Sequence, residues 1–225
     1  MKTNIIITLL FVSSLYQCGN AINTQKEDNC KKIGIKIGSL ILNYTFYHDT
    51  TYTRLDSAMY LIDSIFCDCS KYYTGLTSSK LKIFSYKKEY SKAISFITTL
   101  DDSKLRPLLK KSILLNRFHS MESQQKGDTA SRNKYIRAII AELKDSLSNI
   151  KIDSVLQESN ELNIIQKGKG FTLTQYYYYR SQIEGVDKIS IELDAYQKRI
   201  SGNKKFFDFM LKKSLNDNYM DFNGL

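Results

Sequence analysis

The residues of this chain that could do chemistry are few and do not combine into a catalytic group. The sequence contains two histidines, His48 and His119, in unrelated contexts, and no metal-binding motif can be built from them. Residues 168–170, Gly-Lys-Gly, lack the strand-loop-helix setting of a phosphate-binding loop, so we interpret them as a hinge. We therefore expect no catalytic residue, no metal and no cofactor. An unrecognised hydrolase with His119 beside a carboxylate is the enzymatic alternative.

A run of four tyrosines followed by arginine, residues 176–180, is the segment best suited to recognition. On a helix the four tyrosines span about 300°, so they cannot all face one core and at least one should be exposed or rim a groove. Tyrosine offers a broad amphipathic contact and is enriched at binding hot spots. Packing of two tyrosines in the core, with two covering neighbouring surface, is the structural alternative.

The amino terminus predicts export. Residues 5–15 form an apolar run after a short positive region, too short for a helix that spans a bilayer. We assign residues 1–17 to a signal peptide, with lipidation of Cys18, and residues 18–32 to a polar tether. Cleavage after Ala21, giving a signal peptide of 1–21 and a soluble periplasmic or secreted protein, is the alternative.

Either cleavage leaves Cys30, Cys67 and Cys69 in an oxidising compartment, where one internal disulfide is possible. Cys67 and Cys69 would lie about 200° apart on a continuous helix and are poor partners for each other. A bridge from Cys30 to one of them would tie the tether to the first repeat. Three buried or inert thiols are the alternative.

The elements that must position these groups repeat along the chain. Residues 55–65 and 90–100 carry the same pattern 35 positions apart, with an alanine that lets a neighbouring helix approach closely. A third copy begins at residue 133, and we place its ten extra residues in an exposed loop within 120–130. The residues that define the repeat are Leu55, Ala58, Ile62, Tyr90, Ala93, Ile97, Tyr135 and Ala138.

The period predicts an all-α fold of stacked helical hairpins over residues 33–225. We expect the hairpins at about 52–86, 87–120, 131–165 and 172–215. A last amphipathic helix, over residues 206–215, would cover the exposed end of the core. A single proline and ten glycines are too few for the many tight turns of a sandwich or barrel.

The pattern Tyr-x-x-Ala-Ile-x-x-Ile after a Lys-Lys-Glu turn resembles the tetratricopeptide repeat over residues 52–147, with a weaker echo in 172–200. The family's second alanine is replaced by Ile65 and Leu100. The resemblance implies a TPR-like α-solenoid with a concave binding groove. With its amino-terminal segment, the chain resembles the small repeat-containing lipoproteins of the Bacteroidetes, which implies binding or scaffolding at the cell envelope and the outer membrane.

The net charge of +10 comes from 33 Lys and Arg against 23 Asp and Glu. The excess is lysine scattered along the chain, which is typical of a solvated surface, and no nucleic-acid motif accompanies it, so we expect no specific nucleic-acid binding. A basic surface protein that binds anionic polymers or lipid head groups through lysine is a second functional hypothesis. Its binding should weaken with added salt.

The leading hypothesis is a non-enzymatic, membrane-anchored envelope protein that binds another protein or a peptide along the helical groove. Binding would depend on exposed tyrosines and lysines of the hairpins. The candidates are Lys80, Lys82, Tyr86, Lys111 and Tyr178.

Overall fold

The computed structural model describes residues 26–47, 51–66, 69, 72–102, 105, 110–148 and 164–199 of the 225-residue chain, and these residues contain helices and no strand. The predicted all-α class is confirmed. The predicted signal peptide, Cys18, Cys67 and the final helix over 206–215 lie outside the described residues. The helices are α1 (26–46), α2 (Thr53–Ile65), α3 (Tyr73–Tyr86), α4 (Tyr90–Thr99), α5 (Lys111–Gln125), α6 (Thr129–Ser148), α7 (Ile164–Glu184) and α8 (Val186–Arg199).

Contacts divide the chain into two compact units, Met1–Ile83 and Phe84–Leu225, with the division inside α3. In the first unit, α1 buries Cys30, Ile37 and Ile41. Helices α2 and α3 contribute further buried apolar side chains to this unit. These are Leu55, Ala58, Ile62, Ile65, Leu76, Leu81 and Ile83.

A disulfide joins Cys30 of α1 to Cys69, with 5.8 Å between the two Cα atoms. This is one of the two bridges that the sequence allows from Cys30. Residues 26–32, predicted to belong to a polar tether, instead form the first turns of α1. The prediction was wrong for these residues because their polar composition is that of a solvated helix face, while Cys30 alone turns inward and is buried.

The repeat pattern predicts burial in its first two copies. Ala58 of α2 and Ala93 of α4 are fully buried, as are Ile62 and Ile97 four residues after each alanine. The third copy departs from this arrangement, since Ala138 of α6 is exposed.

Helix α6 packs through another set of positions, spaced by three and four residues along one face. Tyr135, which the pattern aligns with Tyr90, is half-buried. The assignment of Ala138 to a close helix contact is therefore wrong. The buried residues of α6 are Ile136, Ile139, Leu143 and Leu147.

The connection between α5 and α6 is a tight turn and contains no exposed insertion. Gly127, with φ of 74°, follows the end of α5, and its N–H donates to Gln124 O while Asp128 N–H donates to Ser123 O. This pair of bonds is a Schellman motif, which favours glycine at its left-handed position. The predicted loop is absent: α4 begins at Tyr90, whereas α6 begins at Thr129, six residues before Tyr135, so six of the ten extra residues are helical.

Asp128 also begins α6, because its Oδ1 accepts a hydrogen bond from Ser131 N–H at 2.9 Å. Hydrogen bonds from the Ser131 side chain and backbone lower the pKa of Asp128. The hinge predicted at residues 168–170 is wrong, since this segment lies inside α7. The break falls instead at Gly185, where φ of 94° separates α7 from α8.

In the second unit each helix from α4 to α8 packs against the next one in sequence. The core here is formed by α5, α6 and α7, and two of the four consecutive tyrosines belong to it. Its buried members are Ile113, Ile136, Ile139, Leu143, Tyr178 and Tyr179.

Replacing each of the two buried alanines with leucine tests whether a neighbouring helix packs closely against it. Ala58→Leu and Ala93→Leu should each lower the free energy of unfolding by about 1–3 kcal/mol, because extra methylenes enter a filled core. Ala138→Leu, at the exposed position of the third copy, is the matched control and should change it by less than about 0.5 kcal/mol. Chemical denaturation of the three variants measures this. Equal losses in all three would contradict the burial pattern.

The disulfide should stabilise the first unit by restricting its unfolded state, since it closes a separation of 39 residues. Cys69→Ser should lower the free energy of unfolding by about 2–4 kcal/mol. Denaturation with and without reductant measures this loss. The reductant should bring the wild-type protein close to the variant and leave the variant unchanged; an unaffected wild type would exclude a stabilising bridge.

Candidate cationic cavity

The second unit contains an open cavity of about 350 Å³, within the size range of small-molecule pockets. Its described lining comes from the α3–α4 turn and from α4, α5, α6 and α7. Positive, aromatic and amide side chains predominate. The lining residues are Lys88, Tyr90, Arg117, Ser120, Met121, Gln124, Gln125, Arg132, Ile136, Tyr178, Tyr179 and Gln182.

Arg117 is placed by the core-facing side of α5. It follows Ile113 by four residues and Leu114 by three, so it shares their helix face, and it is only 3% exposed. Ser120, also buried, donates its hydroxyl to Arg117 O at 2.7 Å. Burial holds the guanidinium in one place at the cavity wall.

Arg132 is placed by α6 and by a contact to α7. Its Nη1 donates to Asn133 Oδ1 and its Nη2 to Gln182 Oε1, each at 3.0 Å. Both acceptors are neutral amide oxygens. The guanidinium is therefore oriented without being neutralised by these two bonds.

Lys88 enters the cavity lining from the turn after α3. Its φ of 57° lies in the left-handed region that favours glycine. Lys88 N–H donates to Ser85 O and Glu89 N–H to Phe84 O, so this turn is a second Schellman motif. An exposed lysine thus occupies a position for which glycine is the better backbone choice.

None of the described lining residues is acidic. The carboxylates adjacent to the lining in sequence bind other partners. Glu89 forms ion pairs with Lys87 and Lys92 at 3.6 and 3.0 Å. Glu122 accepts from Ser91 and pairs with Lys126, which together lower its pKa. The described lining therefore contains three cationic side chains and no acidic one.

Three tyrosine side chains form part of the cavity wall. Tyr90 of α4 lies near Phe118 of α5, with ring centroids 6.5 Å apart. Tyr178 and Tyr179 of α7 are 6% and 5% exposed and contact each other edge to face. Of the four consecutive tyrosines, Tyr176 is half-buried and the other three are buried, and two of these line the cavity.

The predicted binding residues are divided between the two units, and only Tyr178 lines the cavity. Lys80 binds Asp63 at 2.5 Å and lies over the Phe66 ring, while Lys82 and Tyr86 are half-buried. Lys111 donates to Thr98 O and Leu100 O, at the end of α4. Lys111 thus has a structural role as a cap of carbonyl groups, and Tyr178 is not the exposed contact that the sequence predicts.

Arg117, Arg132 and Gln182 were not among the binding residues predicted from the sequence. A signal for Arg117 was present, since an arginine at the i+4 and i+3 positions of two core residues interrupts an apolar helix face. Arg132 and Gln182 gave no such signal, because their contact joins residues 50 positions apart.

The described residues contain no group of three or more His, Cys, Asp or Glu side chains that could hold a metal ion. His119 stacks on Tyr135, with ring centroids 4.9 Å apart, and is not among the cavity-lining residues. Within the part of the chain that the structure describes, no helix is long and apolar enough to cross a membrane.

Another arginine of this unit, Arg180, contrasts with Arg132 because it forms ion pairs with carboxylates. Its guanidinium binds both oxygens of Glu184, at 2.6 and 3.0 Å, and both oxygens of Glu192, each at 2.8 Å. These bonds connect α7 to α8 and raise the pKa of Arg180. Arg180 and, to a lesser degree, Lys188 lower the pKa of Glu184 to about 2.

This lowered pKa predicts an acid-dependent loss of stability. The Glu184 contribution should be complete above its ordinary pKa of 4.5 and should disappear as the pH falls towards about 2, because the folded state then has to bind a proton that breaks the pair. Urea denaturation between pH 2 and 7 should show a shallower loss of unfolding free energy below pH 4.5 in Glu184→Gln than in the wild type. Parallel profiles would exclude the linkage.

No protein-family model, no curated protein and no solved structure matches this chain.

Proposed function

We propose that this chain is a non-enzymatic binding protein whose second unit takes an anionic segment of a partner protein or peptide into the cavity. The observation that carries the proposal is the charge of the lining. Lys88, Arg117 and Arg132 line one cavity, and no acidic residue is among its described lining. An anion is attracted to such a site, and the surrounding low dielectric strengthens that attraction.

The chemistry of the lining favours binding over catalysis. A guanidinium group donates several hydrogen bonds and has no acceptor, so the arginines of the lining suit holding and orienting a ligand. The glutamine amides of the lining can supply further donors and acceptors that suit a peptide backbone. Tyrosine also adds contact area at a low cost in side-chain entropy.

The Cys30–Cys69 bridge supports the exported location that belongs to this proposal. Disulfides persist in oxidising compartments and are rare in the cytosol of mesophiles. The lipid anchor at Cys18 and the membrane association at the cell envelope are proposed from the sequence alone. The anchor would leave the second unit available to a partner at the same surface.

The test is peptide selection on the full chain, followed by fluorescence anisotropy with two matched tryptophan variants. Gln125→Trp places a large ring on an exposed lining residue, and Ala130→Trp places the same ring on an exposed residue outside the lining. We expect the selected peptides to be anionic and Gln125→Trp to change their affinity at least tenfold, about 1.4 kcal/mol.

Ala130→Trp should leave the affinity within twofold of the wild type. If both variants bind the peptides as the wild type does, the cavity is not the binding site. If the selected peptides show no excess of acidic residues, the charge of the lining does not direct recognition.

A further inference from the structure

The positive charge of the cavity exceeds what one carboxylate would balance. Lys88 and Arg132 line it together with the buried Arg117, and Arg132 donates to the neutral oxygens of Asn133 and Gln182. A carboxylate brings a single negative charge, whereas a phosphate monoester carries about −1.5 to −2 at pH 7. The charge of the lining therefore suits the more highly charged group.

The number and origin of the donors lead to the same ligand class. Each guanidinium offers several N–H donors in a planar fork, and lysine offers three more on a single nitrogen. The three cations come from the α3–α4 turn, from α5 and from α6. A phosphate monoester presents three terminal oxygens in a tetrahedral arrangement, which can accept from donors on several sides, while a carboxylate presents two oxygens in one plane.

The cations are held before any ligand arrives. Arg117 is fixed by burial on α5, and Arg132 by its bonds to Asn133 and Gln182. Lys88 is carried by a turn closed with two backbone bonds. Since little side-chain ordering is then needed on binding, the entropy cost of anion recognition is reduced.

We propose that the cavity recognises a phosphate monoester, bound by Lys88 and Arg132 in the cavity that Arg117 also lines. The inference rests on the proposed binding function and specifies the group that is bound. The cavity volume of about 350 Å³ leaves room for the part of the ligand that carries the phosphate, with the tyrosines as its contact surface. The phosphate can belong to a phosphorylated side chain or to a small phosphate ester, and the experiment separates these two sources.

The experiment is isothermal titration of the full chain with four probes at physiological salt. The probes are a phosphoserine peptide, the same peptide with serine, the same peptide with glutamate, and glycerol phosphate. The phosphoserine peptide should bind at least tenfold more tightly than the serine and glutamate forms. Glycerol phosphate alone should bind more weakly than the phosphopeptide if a side chain is the source.

Three variants locate the phosphate. Lys88→Gly removes a cation at a left-handed backbone position where glycine is favourable, so the turn should be retained. Arg132→Gln removes the second cation, and Lys134→Gln removes an exposed charge from the same helix outside the cavity. Each of the first two should weaken phosphopeptide binding at least tenfold, while Lys134→Gln should change it by less than twofold. Thermal denaturation confirms that each variant is folded.

Each outcome has a defined meaning. Equal affinity for the phosphoserine and glutamate peptides would overturn the phosphate assignment, since a carboxylate would suffice. Equal affinity for all three peptides, with loss in Arg132→Gln, would overturn it while supporting the proposed binding function. Glycerol phosphate binding that depends on Lys88 and Arg132, without added affinity from any peptide, would support phosphate recognition and reject a peptide partner. Equal weakening by Lys134→Gln would show nonspecific attraction and overturn the site.

Discussion

The arrangement of the second unit depends on the three-residue turn between α5 and α6. Gly127 allows the backbone to reverse, and Asp128 both closes α5 through its N–H and caps α6 through its carboxylate. One short segment therefore ends one helix and begins the next, which leaves the two helices little freedom to separate. Arg117 and Arg132 stand on either side of this turn and are brought to one cavity by it.

Arg180 lies on α7 and Arg132 of α6 hydrogen-bonds to α7, but the two arginines have different partners. Arg180 is neutralised by Glu184 and Glu192 and connects two helices. Arg132 reaches α7 as well, but through the neutral oxygen of Gln182. An arginine with two carboxylate partners has little electrostatic attraction left for a ligand, while one oriented by amides keeps it. The structure thus distinguishes an arginine that forms ion pairs between two helices from one oriented by neutral amides.

The helical class and the burial of Ala58 and Ala93 could be predicted from sequence because both are local properties of the 3.6-residue period. The same reasoning failed at Ala138, because similarity to an earlier copy does not fix which face of a longer helix packs. It also failed at residues 168–170, where the helical context of α7 overrides the low helix propensity of glycine. The cavity could not be predicted from the sequence, because its lining residues come from four helices and a turn. Arg117 alone could have been noticed, as a charged residue on an apolar helix face.

The Cys30–Cys69 bond has a mechanical consequence for the first unit. It links the start of α1 covalently to the segment that precedes α3, and residues 31–68 form a closed loop between its two ends. A pulling force applied to the chain before Cys30 would pass through the two sulfur atoms directly to residue 69. Helix α2 and most of α1 would then bear no tension, and the first segment to feel the load after the bridge would be α3.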